Sequence, residues 1–109
     1  MSTLSTHVLD TALGQPAKGI LVTVEQGGVV MGSDVTDNEG RASQILDKDA
    51  RLAEGDCLLR FSVGDYFSQG RREAFYSEIV VNFRIKTGVE HYHVPLLLSP
   101  FGYSTYRGS

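Results

Sequence analysis

The stretch Cys57–Val63, with the sequence CLLRFSV, decides the class of fold that this chain adopts. Every second side chain in it is apolar, while Arg60 and Ser62 fall on the opposite side. Because successive side chains of a β-strand point to opposite faces, a period of two predicts a half-buried strand. Two later segments, Ile79–Lys86 and Tyr92–Leu98, repeat the alternation, so the pattern continues through the second half of the chain.

Further strands are predicted on both sides of these segments, separated by residues typical of turns. Gly27-Gly28 supplies a two-residue hairpin turn, and residues 37–40, with the sequence DNEG, supply another turn. A short helix is expected between Tyr66 and Glu73, with Gly70 ending it. The predicted strands are Leu4–Leu9, Ile20–Glu25, Val29–Thr36, Arg41–Leu46, Cys57–Val63, Ile79–Ile85, His91–Leu98 and Phe101–Arg107. Closely spaced strands without a long amphipathic helix predict an all-β sandwich or barrel.

Length and composition set the broad class of protein. A chain of 109 residues predicts one domain over residues 1–109, with enough surface to bury for a single core. The net charge of -3 provides no basic surface for nucleic acid or for an anionic membrane. Met1–Asp10 lacks the features of a signal peptide, and the expected compartment is the cytoplasm. Cys57 is the only cysteine, and it lies inside an apolar run. We therefore expect a buried, inert thiol.

The histidines are the first candidates for chemistry. His91 and His93 lie two residues apart on one predicted strand, so both side chains leave the face opposite the apolar one. Three interpretations stay open at this point. The pair is solvated on an exposed face, or it binds zinc with His7 as a third ligand, or it performs metal-free acid–base chemistry near neutral pH.

The segment Tyr103–Ser109 is unusual for a terminus, because it carries two tyrosines and an arginine. A tyrosine offers a ring and a hydroxyl, and an arginine offers a planar fork suited to carbonyl and anionic oxygens. An ordinary edge strand is the alternative interpretation. Nothing in the residues themselves separates Arg41 from the six other arginines. Asp10 and Asp56 are expected to have turn or loop roles.

Three stretches of the chain resemble the 5-hydroxyisourate hydrolase family, which has the transthyretin fold. They are Leu4–Asp10, Thr36–Arg41 and His91–Pro100, the last continuing to the terminal tetrapeptide Tyr106–Ser109, which is the most specific of the matches. The resemblance covers essentially the whole chain. It departs at Ser77, where relatives often carry proline after an aromatic pair. Transthyretin itself shares the fold, but it is secreted and lacks this histidine set and this tetrapeptide.

The resemblance implies a sandwich of two four-stranded sheets with one short helix. It also implies a homotetramer, a dimer of dimers, with active sites in a channel where the dimers meet. The implied reaction is the hydrolysis of 5-hydroxyisourate in urate degradation, without cofactor or metal. The catalytic residues fall by position on His7, Arg41, His93 and Tyr106, and substrate binding falls on His7, Arg41, Tyr106, Arg107, Gly108 and Ser109. A non-catalytic carrier with a transthyretin-like channel is the alternative.

Overall fold

The computed structural model describes residues 2–109, which form nine strands and one helix. Met1, which the sequence places in the predicted domain and beside the first strand, lies outside the described residues. The strands are β1 (Thr3–Asp10), β2 (Gln15–Pro16), β3 (Leu21–Gln26), β4 (Val29–Val35), β5 (Arg41–Ala42), β6 (Gly55–Phe61), β7 (Ile79–Ile85), β8 (His91–Ser99) and β9 (Gly102–Thr105). The helix α1 (Val63–Gln69) connects β6 to β7. No helix within this described range is long and apolar enough to span a membrane.

The strands form two sheets. One sheet has the antiparallel order β4-β3-β6-β7, and the other has the order β2-β1-β8-β9, with β5 also pairing with β1. Strands β1 and β8 are parallel neighbours along their whole length, from Thr3 opposite His91 to Asp10 opposite Leu98. The predicted two-sheet sandwich with one short helix is therefore confirmed. The second sheet counts a fifth strand because both two-residue strands, β2 and β5, pair with β1.

An apolar core lies between the inner faces of the two sheets. Alternate residues of β1, β6 and β8 are buried, as the period of two predicts. Side chains with no exposed surface include Val8, Val22, Val24, Leu59, Phe61, Leu96 and Leu98. Cys57 is also buried and free, and burial raises the pKa of its thiol to about 11. This thiol therefore stays protonated and unreactive at neutral pH, in agreement with the prediction.

The helix begins earlier than the sequence pattern predicts. Val63 is fully buried, as the pattern requires, but it is the first residue of α1 and does not continue β6. Val63 and Phe67 are four residues apart, so both lie on one face of the helix and both pack into the core. A single buried residue fits a strand or a helix equally well, which explains the difference. Gly70 follows the last helical residue, so the predicted end is confirmed.

Short and terminal strands also differ from the predictions. The predicted strand Arg41–Leu46 contains only Arg41–Ala42, and β2 has no counterpart among the predicted strands. A two-residue strand is too short to show a period, so no alternation marks it. Strand β9 ends at Thr105, and residues 106–109 follow as an irregular tail.

Of the two aspartates with predicted turn or loop roles, Asp10 holds the turn after β1 through hydrogen bonds from Leu13 and Gly14, whereas Asp56 lies within a strand. Asp10 is the last residue of β1 and has no exposed surface. Its carboxylate accepts hydrogen bonds from Arg72 Nη1 at 2.6 Å, from Tyr66 Oη at 2.7 Å and from the backbone N–H of Leu13 at 3.1 Å. These donors compensate the loss of water and tie β1 to the helix region. Asp56 lies exposed in β6.

Candidate functional site

The outer face of the β1–β8 pair carries all three histidines, and we call it the histidine face. Parallel pairing sets Thr3 beside His91 and Ser5 beside His93. Antiparallel pairing of β1 with β5 sets His7 beside Arg41. Since the even-numbered residues of β1 are buried, its odd-numbered residues point outward onto this face. Three distant parts of the sequence therefore meet there.

A polar cavity opens on the histidine face, with a volume of about 220 Å³. Arg41, His93 and the terminal Ser109 border it, and they are residues that the resemblance assigns to the site. The remaining lining comes from Ser5, Thr6, Ser43 and His91. The structure thus gathers a guanidinium, two imidazoles and the chain's last residue around one small space.

His7 lies beside this cavity and not among its lining residues. Its Nε2 donates a hydrogen bond to the backbone carbonyl of Glu39 at 2.8 Å. A carbonyl oxygen only accepts, so Nε2 carries a proton and the neutral ring has its lone pair on Nδ1. The turn before Arg41 therefore fixes which nitrogen of His7 can act as a base.

His93 is half-buried, and Ser5 Oγ lies 2.8 Å from its Nδ1. Burial lowers the pKa of His93 below its ordinary value of 6.5, and the charges of His91, His7 and Arg41 lower it further. The ring is therefore neutral near neutral pH, which is the state that a general base requires. Because Nδ1 is engaged by Ser5, Nε2 is the nitrogen that remains for substrate.

Residues of the terminal tail, 106–109, line two different cavities. The N–H of Gly108 donates to the carbonyl of His93 at 2.8 Å, which holds the tail against β8 and leaves Ser109 at the polar cavity. Tyr106 and Arg107 instead line an apolar cavity of about 270 Å³ together with Phe83, Tyr92 and His93, so His93 borders both cavities. The Arg107 guanidinium lies over the Tyr92 ring, 5.5 Å from its centre. In the single chain, then, Tyr106 and Arg107 do not border the polar cavity.

Glycine at position 108 allows the close approach of the tail to His93. A Cβ atom there would lie 2.5 Å from His93 Cδ2 and 3.2 Å from Pro95 Cγ. For the hydrolysis that the family resemblance implies, we expect Gly108→Ala to lower kcat by about 10², the effect of displacing a reacting group by about 1 Å. Gly102→Ala is the matched control, because its Cβ would meet nothing closer than 3.8 Å. Steady-state kinetics of both variants check this, and equal turnover would contradict a functional role for the tail contact.

Ser5 is the site residue that the sequence interpretation missed. Its hydroxyl lies 3.0 Å from His91 Nε2 and 2.8 Å from His93 Nδ1, so one oxygen joins the two rings. The only signal in the sequence is a hydroxyl two residues before His7, and without the register nothing connects it to β8. Across residues 2–109 no group of three or more His, Cys, Asp or Glu side chains is arranged to hold a metal ion.

A sandwich of two sheets with this strand order and one short helix is a transthyretin-like fold. The chain belongs to the HIUase/Transthyretin family, whose model matches residues 4–108.

Relatives of two kinds share this fold. The chain is 44% identical over 110 residues to a 5-hydroxyisourate hydrolase from Salmonella dublin, with 97% of this chain and 80% of that protein aligned. The solved structure of Klebsiella pneumoniae 5-hydroxyisourate hydrolase matches at a TM-score of 0.89 and 38% identity over the whole of both chains. Sea bream transthyretin in complex with thyroxine also gives a TM-score of 0.89, at 27% identity over 97% of this chain and 94% of that one. The fold similarity is equal, and the sequence is closer to the hydrolases.

Proposed function

We propose that this protein hydrolyses 5-hydroxyisourate to 2-oxo-4-hydroxy-4-carboxy-5-ureidoimidazoline, a step of urate degradation. The observation that carries the proposal is the convergence of Arg41, His93 and Ser109 on one polar cavity. The relatives support the same reading, since those named 5-hydroxyisourate hydrolase are 44% and 38% identical and the transthyretin is 27% identical. We also propose that the whole chain is one hydrolase domain and that the protein acts in the cytoplasm. The proposed reaction uses no cofactor.

The histidines supply the base and the acid of the proposed reaction. Hydrolysis of a ring amide needs a group that takes a proton from water and a group that protonates the leaving nitrogen. His93 is suited to act as the base, because burial lowers its pKa and Ser5 occupies Nδ1, which leaves Nε2 free. His7 has its lone pair fixed on Nδ1 by the bond to Glu39, so it can accept a hydrogen bond from the attacking water and orient it. The proton that His93 Nε2 takes from this water is then given to the leaving nitrogen.

Arg41 is suited to bind substrate carbonyls and to stabilise the oxyanion that forms as water attacks. Among residues 2–109 it forms one ion pair, a long one with Glu39, 3.8 Å between Nε and Oε2, and both side chains are more than half exposed. An exposed pair of this length contributes little to stability. The guanidinium is therefore available to a ligand in the polar cavity.

The tail completes the proposed site. We assign Tyr106 to catalysis and Arg107, Gly108 and Ser109 to substrate binding, together with His7 and Arg41. Tyr106 is 58% exposed in the single chain, so its ring is free to contact a neighbouring subunit or a ligand. An exposed histidine face is best explained if it becomes the wall of a channel between two dimers of a homotetramer.

A tetramer is the expected assembly. A site that lies where dimers meet requires a closed, symmetric oligomer. Sedimentation velocity at micromolar concentration is expected to show a species of four chains, and dilution is expected to lower the activity per chain once the tetramer dissociates. A fully active monomer would contradict the channel model.

The direct test of the function follows the ultraviolet absorbance of freshly made 5-hydroxyisourate with and without the protein. We expect the protein to accelerate the decay, and chelator-treated protein to remain fully active. Saturable binding without faster decay would support the carrier alternative instead. Loss of activity with EDTA and recovery with zinc would return the histidines to the role of metal ligands.

A further inference from the structure

A continuous row of four polar side chains runs across the histidine face. Ser5 Oγ lies 2.8 Å from His93 Nδ1 and 3.0 Å from His91 Nε2. His91 Nδ1 in turn lies 2.5 Å from Thr3 Oγ1. The parallel register produces this order, because it sets Ser5 beside His93 and Thr3 beside His91. Both nitrogens of His91 are therefore engaged, each by one hydroxyl.

A relay requires that every bond of the row run in the same direction, and the protons can be arranged in two ways that meet this requirement. Each hydroxyl and each neutral imidazole has one proton to donate. In the first arrangement Thr3 donates to His91 Nδ1, His91 Nε2 donates to Ser5, and Ser5 donates to His93 Nδ1, so His93 has its proton on Nε2. In the second arrangement every bond is reversed, and His93 Nε2 is a free base. Thr3 then points its proton toward solvent or the Glu90 carbonyl, 3.4 Å away.

We propose that Ser5, His91 and Thr3 form a proton relay that connects His93 to water outside the polar cavity. This inference rests on the proposed hydrolysis. When His93 Nε2 takes a proton from the attacking water, its Nδ1 proton passes to Ser5 and the Ser5 proton passes to His91 Nε2. The Nδ1 proton of His91 passes to Thr3, and the original Thr3 proton leaves to solvent. One proton enters and one leaves, and the row ends in its first arrangement. The reverse transfer restores the base.

Exposure along the row supports the direction of transfer. His93 and Ser5 are half-buried, whereas His91 and Thr3 are exposed. His93 also borders the apolar cavity and the polar cavity, and substrate fills the polar cavity during the proposed reaction. Ser5 and His91 line the polar cavity too, but Thr3 does not, so the row ends outside it. A proton on His93 Nε2 can thus reach water through the row while the cavity is occupied. Ser5, His91 and Thr3 act through His93, so they are positioning residues and not catalytic ones.

The first test compares His91→Gln with the wild type in weak and in strong buffer. The glutamine amide can still donate to Ser5 and hold it against His93, but it cannot pass a proton on. We expect kcat to fall roughly tenfold in weak buffer, less than the 10²–10⁴ of a directly acting acid–base group. KM is expected to stay unchanged. Added imidazole is expected to restore kcat, because a diffusible base replaces the relay.

Three outcomes would overturn the relay. The first is a His91→Gln variant that matches the wild type in weak buffer. The second is a fall in kcat that imidazole does not restore, which would make His91 a purely structural support for His93. The third is a change confined to KM, which would make His91 a substrate contact. Ser33→Ala, in the opposite sheet, serves as the matched control for Ser5→Ala, which is expected to behave like His91→Gln.

A second measurement does not depend on turnover, and so separates this inference from the proposed function. Nitrogen-15 NMR reports which nitrogen of each neutral ring carries the proton. With Ser5 between the rings, His91 and His93 are expected to show the same ratio of Nδ1-H to Nε2-H, and Ser5→Ala is expected to make the two ratios differ. Different ratios in the wild type would overturn the relay. If the wild type has equal ratios but does not accelerate 5-hydroxyisourate decay, only the proposed function fails.

Discussion

Replacing His7 or His93 with asparagine is expected to slow the hydrolysis of 5-hydroxyisourate by about 10²–10⁴, the contribution of a positioned acid or base. The two rings lie on one sheet face and serve one proton exchange. When two residues act as a unit, the effects of their mutations do not add. The double variant is therefore expected to be little slower than the slower single variant. His91→Asn is expected to cost less than either. Stopped-flow absorbance measures all of these rates.

Stability provides the control for this prediction. Both rings lie on the outer face of the sheet and contribute little to the core, so the free energy of unfolding is expected to change only modestly. Turnover within a few-fold of wild type would leave Arg41 and Tyr106 as the only catalysts and overturn the mechanism. Extensive unfolding of either variant would instead show that the histidines are structural.

The pH dependence of the reaction follows from the state of His93. Its pKa lies below 6.5, because burial and the charges of His91, His7 and Arg41 disfavour the imidazolium. A base must be neutral, so kcat/KM is expected to fall as pH drops through this lowered pKa and to be constant above it. Removing the Arg41 charge is expected to move the inflection upward, and an inflection above 6.5 in the wild type would contradict the assignment of His93 as the base.

The largest expected loss of stability comes from Arg72→Met. Asp10 is fully buried, and this substitution removes its charged partner while keeping an aliphatic side chain over Phe67, whose ring centre lies 4.9 Å from the guanidinium. Leaving one member of a buried pair uncompensated costs about 3–5 kcal/mol. Because 22% of the Arg72 side chain is exposed, we expect a loss at the lower end of this range, about 3 kcal/mol. Urea unfolding at a fixed protein concentration measures it.

Arg71→Met is the matched control, since Arg71 is exposed and directly precedes Arg72. Burial alone would raise the pKa of Asp10, but hydrogen bonds from Arg72, Tyr66 and Leu13 lower it below the ordinary 3.8. In the wild type, the pair therefore contributes fully to the free energy of unfolding above pH 3.8. This contribution is lost as the pH falls through the lowered pKa of Asp10. In Arg72→Met burial dominates and the pKa rises, so the difference between the variants is expected to shrink in acid. Equal stabilities of Arg71→Met and Arg72→Met would contradict the prediction.

The long strands were predictable because a half-buried strand carries its own signal. The alternation in β1, β6, β7 and β8 reports which side of each strand meets the core. The early start of α1 was not predictable, since Val63 is buried in either structure. The pairing of Asp10 with Arg72 was also hidden, because 62 residues separate them in the sequence.

The site was predictable in part for the same reason. That His91 and His93 share a face follows from their spacing alone. Selecting Arg41 needed the family resemblance, because only the pairing of β5 with β1 brings it beside His7. The link through Ser5 depends on a parallel register between segments 88 residues apart, which no local pattern encodes.

That parallel pairing also governs the order in which the chain can fold. Strand β1 is synthesised first, yet its long partner β8 lies almost a whole chain length away, at residues 91–99. Pairing across such a separation must overcome a large loop-closure entropy, which slows folding. During synthesis, the edge of β1 that pairs with β8 is therefore expected to stay unpaired until β8 leaves the ribosome. The histidine face, which needs both strands, is then expected to form late. Chaperones that shield unpaired strand edges are expected to matter most in this interval.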